Sequence, residues 1–266
     1  MSISQQIVEI GLWLLETGLV TGTAGNISVR CPERDVFLIT PTARDYRLMT
    51  EGDLVRVHLG SGRVEGRRSP SSEWLLHAEI YKTREDVDAI IHHHSTYCSA
   101  VAAARKTIPV ILDEAADLCP ILTAPYAPSG SQELAEASAE LLARGGFAIL
   151  LANHGAVAVG RNLGEAARRA GEMERLAKIY LYAELLGGAH LLDGATVARS
   201  RELIREYRAV ASEDKQPRSF STPRIAGHVG VLDLVNFGFR TAVTFASLIH
   251  TLILQKLHRW HPQSSS

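Results

Sequence analysis

An excess of charge of either sign, paired cysteines and long apolar runs are all missing from this 266-residue chain. The formal net charge is −1, with 28 basic and 29 acidic side chains, so no global basic field exists to attract nucleic acid or anionic lipid. The three cysteines, Cys31, Cys98 and Cys119, are odd in number and lack CxxC spacing, which excludes a disulfide framework and a cysteine zinc site. The opening residues MSISQQIVEIGLWLLETG carry no positive region before the apolar run, and Glu9 interrupts it. They read as an amphipathic helix and not as a secretory leader. Up to residue 214 no apolar stretch approaches the length needed to cross a bilayer, so a cytoplasmic protein is expected. Aromatic residues make up 6% of the chain, but hydrophobic ones 46% and charged ones 21%, a balance that suits a folded aliphatic core and not wholesale disorder.

The near-neutral total hides two unlike parts. Residues 1–214 hold 22 basic and 28 acidic side chains, and residues 215–266 hold 6 and 1. Within the first part, short apolar runs alternate with helical patterns. Helices are expected over 5–16, from the Pro70-Ser71-Ser72-Glu73 start to about Thr83, from Ser129–Ser131 onward, over 162–187 and over 196–209. Strands are expected over 36–40, 54–58, 87–94, 147–152 and 156–159, with a turn at Gly60–Gly62 suited to a hairpin. Asn162 followed by Glu165 resembles a capping box. The mixed order favours an α/β fold with a largely antiparallel central sheet over a doubly wound parallel one.

Three segments carry chemistry. Ile91-His92-His93-His94 ends a strand candidate, so His92 and His94 share one face about 7 Å apart at Cα, while His93 faces the other way. Two imidazoles so placed can converge on one metal ion, and a third ligand is then needed. His154 is the candidate, because it follows a buried strand and precedes Gly155, which permits close backbone approach or unusual dihedrals. Single histidines such as His58, His77 and His190 read as structural. Glu73, in the first turn of its helix, suits a metal ligand or proton-transfer base. Ser71 and Ser72 beside it offer hydroxyls and N–H groups to an anion such as phosphate. The third segment, Thr21–Ser28, is a loop of small residues able to line an anion pocket; it lacks the lysine of a Walker loop.

Taken together, Gly22–Arg30, Leu38-Ile39-Thr40-Pro41-Thr42, Pro70–Trp74, His92 with His94, Ala124–Ala127 and Leu150–Gly155 resemble the class II aldolase/adducin family, and within it the fuculose-phosphate aldolase branch. Over roughly residues 1–210 the order and spacing are the family's. The resemblance implies a three-layer α/β/α fold, a homotetramer with active sites between neighbouring subunits, and Zn2+ held by His92, His94 and His154, with Glu73 a fourth ligand at rest. It places phosphate against Asn26, Thr42, Ser71 and Ser72 and backbone groups near Ala43, where relatives carry glycine. The implied reaction is cleavage of a ketose 1-phosphate to dihydroxyacetone phosphate and an aldehyde, zinc acting as Lewis acid and Glu73 exchanging the proton. A non-catalytic adducin-like scaffold would be expected to lack the metal ligands, and all four are present.

One departure stands out. The aldolases place a tyrosine about nineteen residues after the second zinc histidine, and this chain has Asp113 there. Glu114 next to it matches an acid/base glutamate of related dehydratases, and Tyr207 matches a second family tyrosine. Dehydration, decarboxylation or 4-epimerisation of a sugar phosphate therefore stands beside aldol cleavage. The family-like domain is expected to span residues 1–212. Residues 213–266 form a linker and an extra segment, an amphipathic helix or sequence without a fold; its cleanest apolar piece, Thr241–Leu254, is too short to span a bilayer, and membrane contact by it is not expected.

Overall fold

The structure is a computed structural model that describes residues 1–213. The linker and extra segment expected after the domain, residues 214–266, lie outside the described residues. Eight strands form one sheet: β1 (Asn26–Arg30), β2 (Val36–Ile39), β3 (Val55–His58), β4 (Val64–Glu65), β5 (Ala89–His93), β6 (Leu122–Ala124), β7 (Ala148–Leu151) and β8 (Gly155–Gly160). Their spatial order is β4-β3-β2-β1-β5-β8-β7-β6. Every neighbouring pair is antiparallel except β6 with β7, so the sheet is mainly antiparallel as the sequence implies.

Five helices cover it, α1 (Ile3–Glu16), α2 (Trp74–Thr83), α3 (Thr96–Ala103), α4 (Gln132–Ala143) and α5 (Leu163–Leu185), and a sixth, α6 (Gly194–Glu213), packs against the 3-10 turn at Asp113–Ala115. One core packs α1, α3 and α5 against Ile27, Ala89, Ile91, Leu150 and Ala158. The other packs α2 and α4 against Phe37, Val57, Ile90, Ile149 and Val157. Alternate strand residues feed opposite faces, which produces three layers. β1, β5, β7 and β8 are buried along their whole length because helices cover both faces. That explains why these strands read as apolar or small-residue runs and not as clean alternations.

The expected elements are present with shifted ends, and β3 and β4 form the hairpin around Gly60–Gly62. The α1 helix starts earlier than expected, where Ser2 and Gln5 close a capping box. At α5 only half of the expected box exists. Asn162 accepts from Glu165 N–H at 2.9 Å, but the Glu165 carboxylate is taken by Arg161. Three elements were not expected: the three-residue β6, β1 and α3. The β1 strand falls in the small-residue segment that reads as a loop, and its pairing comes from β2 and β5. The eight-residue α3 has Ser95 at its N-cap position, but that side chain makes no local capping bond. Its N-terminus is capped from a distance by the Glu174 carboxylate on α5, which accepts from Ser95 Oγ at 2.6 Å, Tyr97 N–H at 3.0 Å and Cys98 N–H at 2.9 Å.

This carboxylate ties α3 to α5 directly after the histidine-bearing strand. Glu174→Ala is expected to lower unfolding free energy by about 1–3 kcal/mol, the range for removing a carboxylate from buried donors, and Glu174→Gln by less. Denaturant titration measures it, and unchanged midpoints in both variants would refute the assignment.

Candidate metal centre and anion-binding loops

The side chains of Glu73, His92, His94 and His154 converge, their ligand atoms all within 4.8 Å of one another. Three elements deliver them. His92 and His94 lie at the end of β5, on the α2 side of the sheet, with His94 one residue past the strand. Glu73 is the N-cap residue of α2, yet its side chain makes no capping bond and turns into the cluster instead. His154 sits in the tight turn between β7 and β8. The unusual backbone expected near Gly155 falls on Asn153, at φ +55°. Gly155 supplies the close approach: a Cβ there would stand 2.6 Å from the His93 carbonyl oxygen and 2.9 Å from the His94 ring. His93 faces the other way and is fully buried.

His92 Nδ1 lies 3.0 Å from the Ala156 carbonyl, an acceptor only, so Nδ1 carries the proton and Nε2 keeps its lone pair in the neutral ring. That Nε2 is 2.8 Å from His94 Nε2 and 3.1 Å from Glu73 Oε2, and His154 Nε2 is 3.3 Å from Glu73 Oε1. The three rings meet edge to face with centroids 4.7, 4.8 and 4.9 Å apart. Four acceptor atoms crowded this closely need a shared cation between them. A tetrahedral ion with bonds of 2.0–2.1 Å sets its ligand atoms roughly 3.3 Å apart, so three imidazoles and a carboxylate fit a divalent metal of the zinc class. Burial, with the charges of His92 and His154, pushes His94 down to about 4 and leaves it neutral and ready to bind near pH 7. Burial alone would raise the Glu73 carboxyl; when His92 or His154 takes up a proton it outweighs this and, with the Ser129 hydroxyl, holds the carboxyl well below the usual range.

Glu73 has two further partners: Asn26 Nδ2 donates to Oε2 at 3.0 Å and Ser129 Oγ to Oε1 at 2.9 Å. Beside it, the loop of Thr42 and Ala43 is laid along the loop of Ser71 and Ser72. Ser71 N–H donates to the Thr40 carbonyl at 3.0 Å, and Thr42 N–H to that of Ser69 at 3.2 Å. Thr42, Ala43 and Ser72 are exposed, with the hydroxyls of Thr42 and Ser72 open to a ligand. Ala43 has φ +52°, the left-handed region that costs a residue with a Cβ about 1–2 kcal/mol and that the glycine expected there from the resemblance would adopt without strain. Behind these loops the buried Asp53 carboxylate gathers Arg67 and Arg68 at 3.0 and 2.5 Å, with Arg44 at 3.6 Å. The Arg68 bond chiefly holds Asp53 well below its usual range. Three guanidiniums on one carboxylate leave positive charge next to the anion loops.

The other expected acid/base residues lie elsewhere in the chain. Asp113 and Glu114 are exposed in a single 3-10 turn, Glu114 paired with Arg175 at 2.5 Å. Tyr207 on α6 is 77% exposed. No hydrogen bond or ion pair among the described residues joins these three to the cluster. Conversely, Ser129 and His77 reach the site's hydrogen bonds although the sequence reading gave neither a role there. Ser129 read only as the start of a helix, and His77 looked like any inward helix histidine.

Purified protein is expected to hold about one metal ion per chain, and His92→Ala to lose it; metal analysis of both checks this, and full retention would exclude His92. Acid should also weaken the fold. Burial pushes His77 from 6.5 to about 3, so between those values the unfolded chain binds a proton that the native chain does not. Stability contributed by neutral His77 is therefore full above pH 6.5 and lost as pH falls toward 3. Chemical unfolding at pH 7.5 and 4.5 tests it, with a flatter pH dependence expected in His77→Gln.

The Class II Aldolase and Adducin N-terminal domain family matches residues 5–181. L-fuculose phosphate aldolase of Haemophilus influenzae is 40% identical over 181 residues, covering 67% of this chain and 82% of that protein. The 5-deoxy-D-ribulose 1-phosphate aldolase of Bacillus thuringiensis serovar kurstaki is 35% identical over 190 residues, covering 71% and 88%. Among solved structures, an L-fuculose 1-phosphate aldolase superposes with a TM-score of 0.72 at 36% identity, covering 77% of this chain and 96% of the other. The fold, the histidine cluster and these likenesses agree: the chain belongs to the class II aldolase and adducin family.

Proposed function

We propose that this protein is a zinc-dependent aldehyde-lyase that cleaves a ketose 1-phosphate to dihydroxyacetone phosphate and an aldehyde. The observation that carries this reading is a carboxylate sharing one site with three convergent imidazoles, next to two loops whose hydroxyls and N–H groups suit a phosphate. His92, His94 and His154 hold the ion, with Glu73 completing the set at rest. When bound, the metal supplies Lewis acidity toward the substrate's ketone and adjacent hydroxyl oxygens.

The chain's own residues do the rest. Thr42, Ser71, Ser72 and backbone near Ala43, with Asn26, bind the phosphate and fix the reacting carbons, and Arg44, Arg67 and Arg68 add positive charge alongside. The C3–C4 bond of the ketose breaks, and the C4 hydroxyl loses its proton as it becomes the aldehyde. Once substrate displaces it from the site, Glu73 takes up a proton from solvent and passes it to C3, where the electron pair left by cleavage forms the new C–H bond of dihydroxyacetone phosphate. Residues 1–212 form the catalytic domain. The C4 proton passes to an acid/base group supplied across a subunit boundary, for which Asp113, Glu114 and Tyr207 are the candidates. That assignment goes with a cytoplasmic homotetramer whose sites lie between subunits. Relatives named for L-fuculose and for 5-deoxy-D-ribulose phosphates bracket the sugar: L-fuculose 1-phosphate comes first, and a 5-deoxypentulose 1-phosphate second. The carboxylates at 113 and 114 favour one other reading, a sugar-phosphate dehydratase on the same metal site.

A panel of ketose 1-phosphates and sugar-acid phosphates with added zinc separates the two. Release of dihydroxyacetone phosphate, lost about 10²- to 10⁴-fold in Glu73→Gln as expected of an acid/base group, supports the aldolase. Loss of water without carbon–carbon cleavage, abolished in Glu114→Ala, would overturn it.

A further inference from the structure

A buried chain of polar side chains runs from Glu73 away from the metal centre to Tyr81. Asn26 Nδ2 donates to Glu73 Oε2 at 3.0 Å, and Asn26 Oδ1 lies 2.5 Å from His77 Nε2. The other ring nitrogen, Nδ1, lies 2.6 Å from Ser28 Oγ, which is 2.8 Å from the Tyr81 hydroxyl. Asn26, Ser28, His77 and Tyr81 are all at most 2% exposed. The geometry behind this chain is a match of two periods. Glu73, His77 and Tyr81 recur every four residues on one side of α2, and Asn26 and Ser28 every two on the facing side of β1.

Donor and acceptor chemistry gives the chain one direction. A carboxylate only accepts, so Asn26 must present its NH2 to Glu73 and its Oδ1 to His77. That oxygen only accepts, so His77 carries its proton on Nε2. Burial keeps the ring neutral, its pKa pushed to about 3, so Nδ1 accepts from the Ser28 hydroxyl. Ser28 Oγ then accepts from Tyr81. Reversing any member would set Asn26 Oδ1 against the Glu73 carboxylate, oxygen against oxygen in a buried site. A chain serving only to fill the core would not need to end on the carboxylate that exchanges the substrate proton.

We propose that His77 is a positioning residue for Glu73: through Asn26 it keeps an N–H on Oε2 and so fixes the direction in which the carboxylate meets substrate, with Ser28 and Tyr81 setting the His77 tautomer. This rests on the reading that Glu73 exchanges the substrate proton. It adds to Asn26 a task beyond phosphate contact. His77 touches neither metal nor substrate, so its loss should move turnover and leave binding in place.

The test uses zinc-loaded full-length protein. His77→Phe should keep one zinc per chain and a KM within about threefold of wild type while kcat falls about 10–100-fold, the size seen for groups that orient a ligand from behind. His77→Gln, whose amide N–H can still reach Asn26 Oδ1, should recover most of that loss. Unchanged kcat in His77→Phe, or equal kcat losses in both variants, overturns the proposal. Side-chain 15N spectra give a readout independent of activity and of the fate of the Phe variant. Wild-type His77 should show the Nε2–H form, and Tyr81→Phe should shift it toward a mixture; an Nδ1–H ring in wild type overturns the proposal. If wild type releases no dihydroxyacetone phosphate from any ketose 1-phosphate, the aldolase reading fails, and the spectra still decide whether the directed chain exists.

Discussion

The site depends on the register of β5 between its two antiparallel neighbours. Asn26 of β1 is paired with His92, and on the other side His92 faces Val157 and His93 faces Ala156. This register puts the His92 ring beside Asn26, Glu73 and the start of β8, and it brings the β7–β8 turn with His154 to the same end of the sheet. A slip of one residue would exchange His92 and His94 for His93 on the α2 face and dismantle the cluster. Backbone contact enforces it at two points. A Cβ at Gly25 would stand 2.6 Å from the His92 carbonyl, and one at Gly155 the same distance from that of His93. Glycine on each flank lets the neighbouring backbones close on β5.

Given that register, the electrostatics follow. Three imidazoles and a carboxylate are largely withdrawn from water, an arrangement whose desolvation cost is offset when a cation binds and when each remaining polar atom has a partner. Glu73 has Asn26 and Ser129, and His92 has the Ala156 carbonyl. The adjoining loops take the opposite approach: hydroxyls and N–H groups at their surface, and positive charge held behind them by Asp53. Under the proposed function, an acidic body thereby accommodates a phosphate without a basic surface.

Much of this was legible in the sequence because it is written in short periods and tight turns. The HxH pair, the Ser-Ser-Glu start of α2 and Asn153-His154-Gly155 each specify local geometry, and the sheet needs only their order. What was not legible depends on partners far along the chain. The β1 strand looks like a loop until β2 and β5 supply its hydrogen bonds, because small residues are what a twice-covered strand next to a crowded site requires. The α3 helix has its cap 76 residues downstream. Ser129 reaches Glu73 from a loop 56 residues away. The role of His77 is spelled out by a spacing of four on α2 set against a spacing of two on β1, a pattern that carries meaning only once the two elements are known to face each other.

The brace at the start of α3 has a wider consequence. Ser95, Tyr97 and Cys98 follow directly on the His92–His94 segment, and all three donate to Glu174, so the chain leaving the two clustered histidines is moored to the middle of the 23-residue α5 helix. The strand is thus clamped at its exit as well as along its sides. Rigidity at the imidazole cluster is borrowed from the longest helix among the described residues, and a change in α5 that never approaches the cluster is transmitted to it through a few covalent bonds.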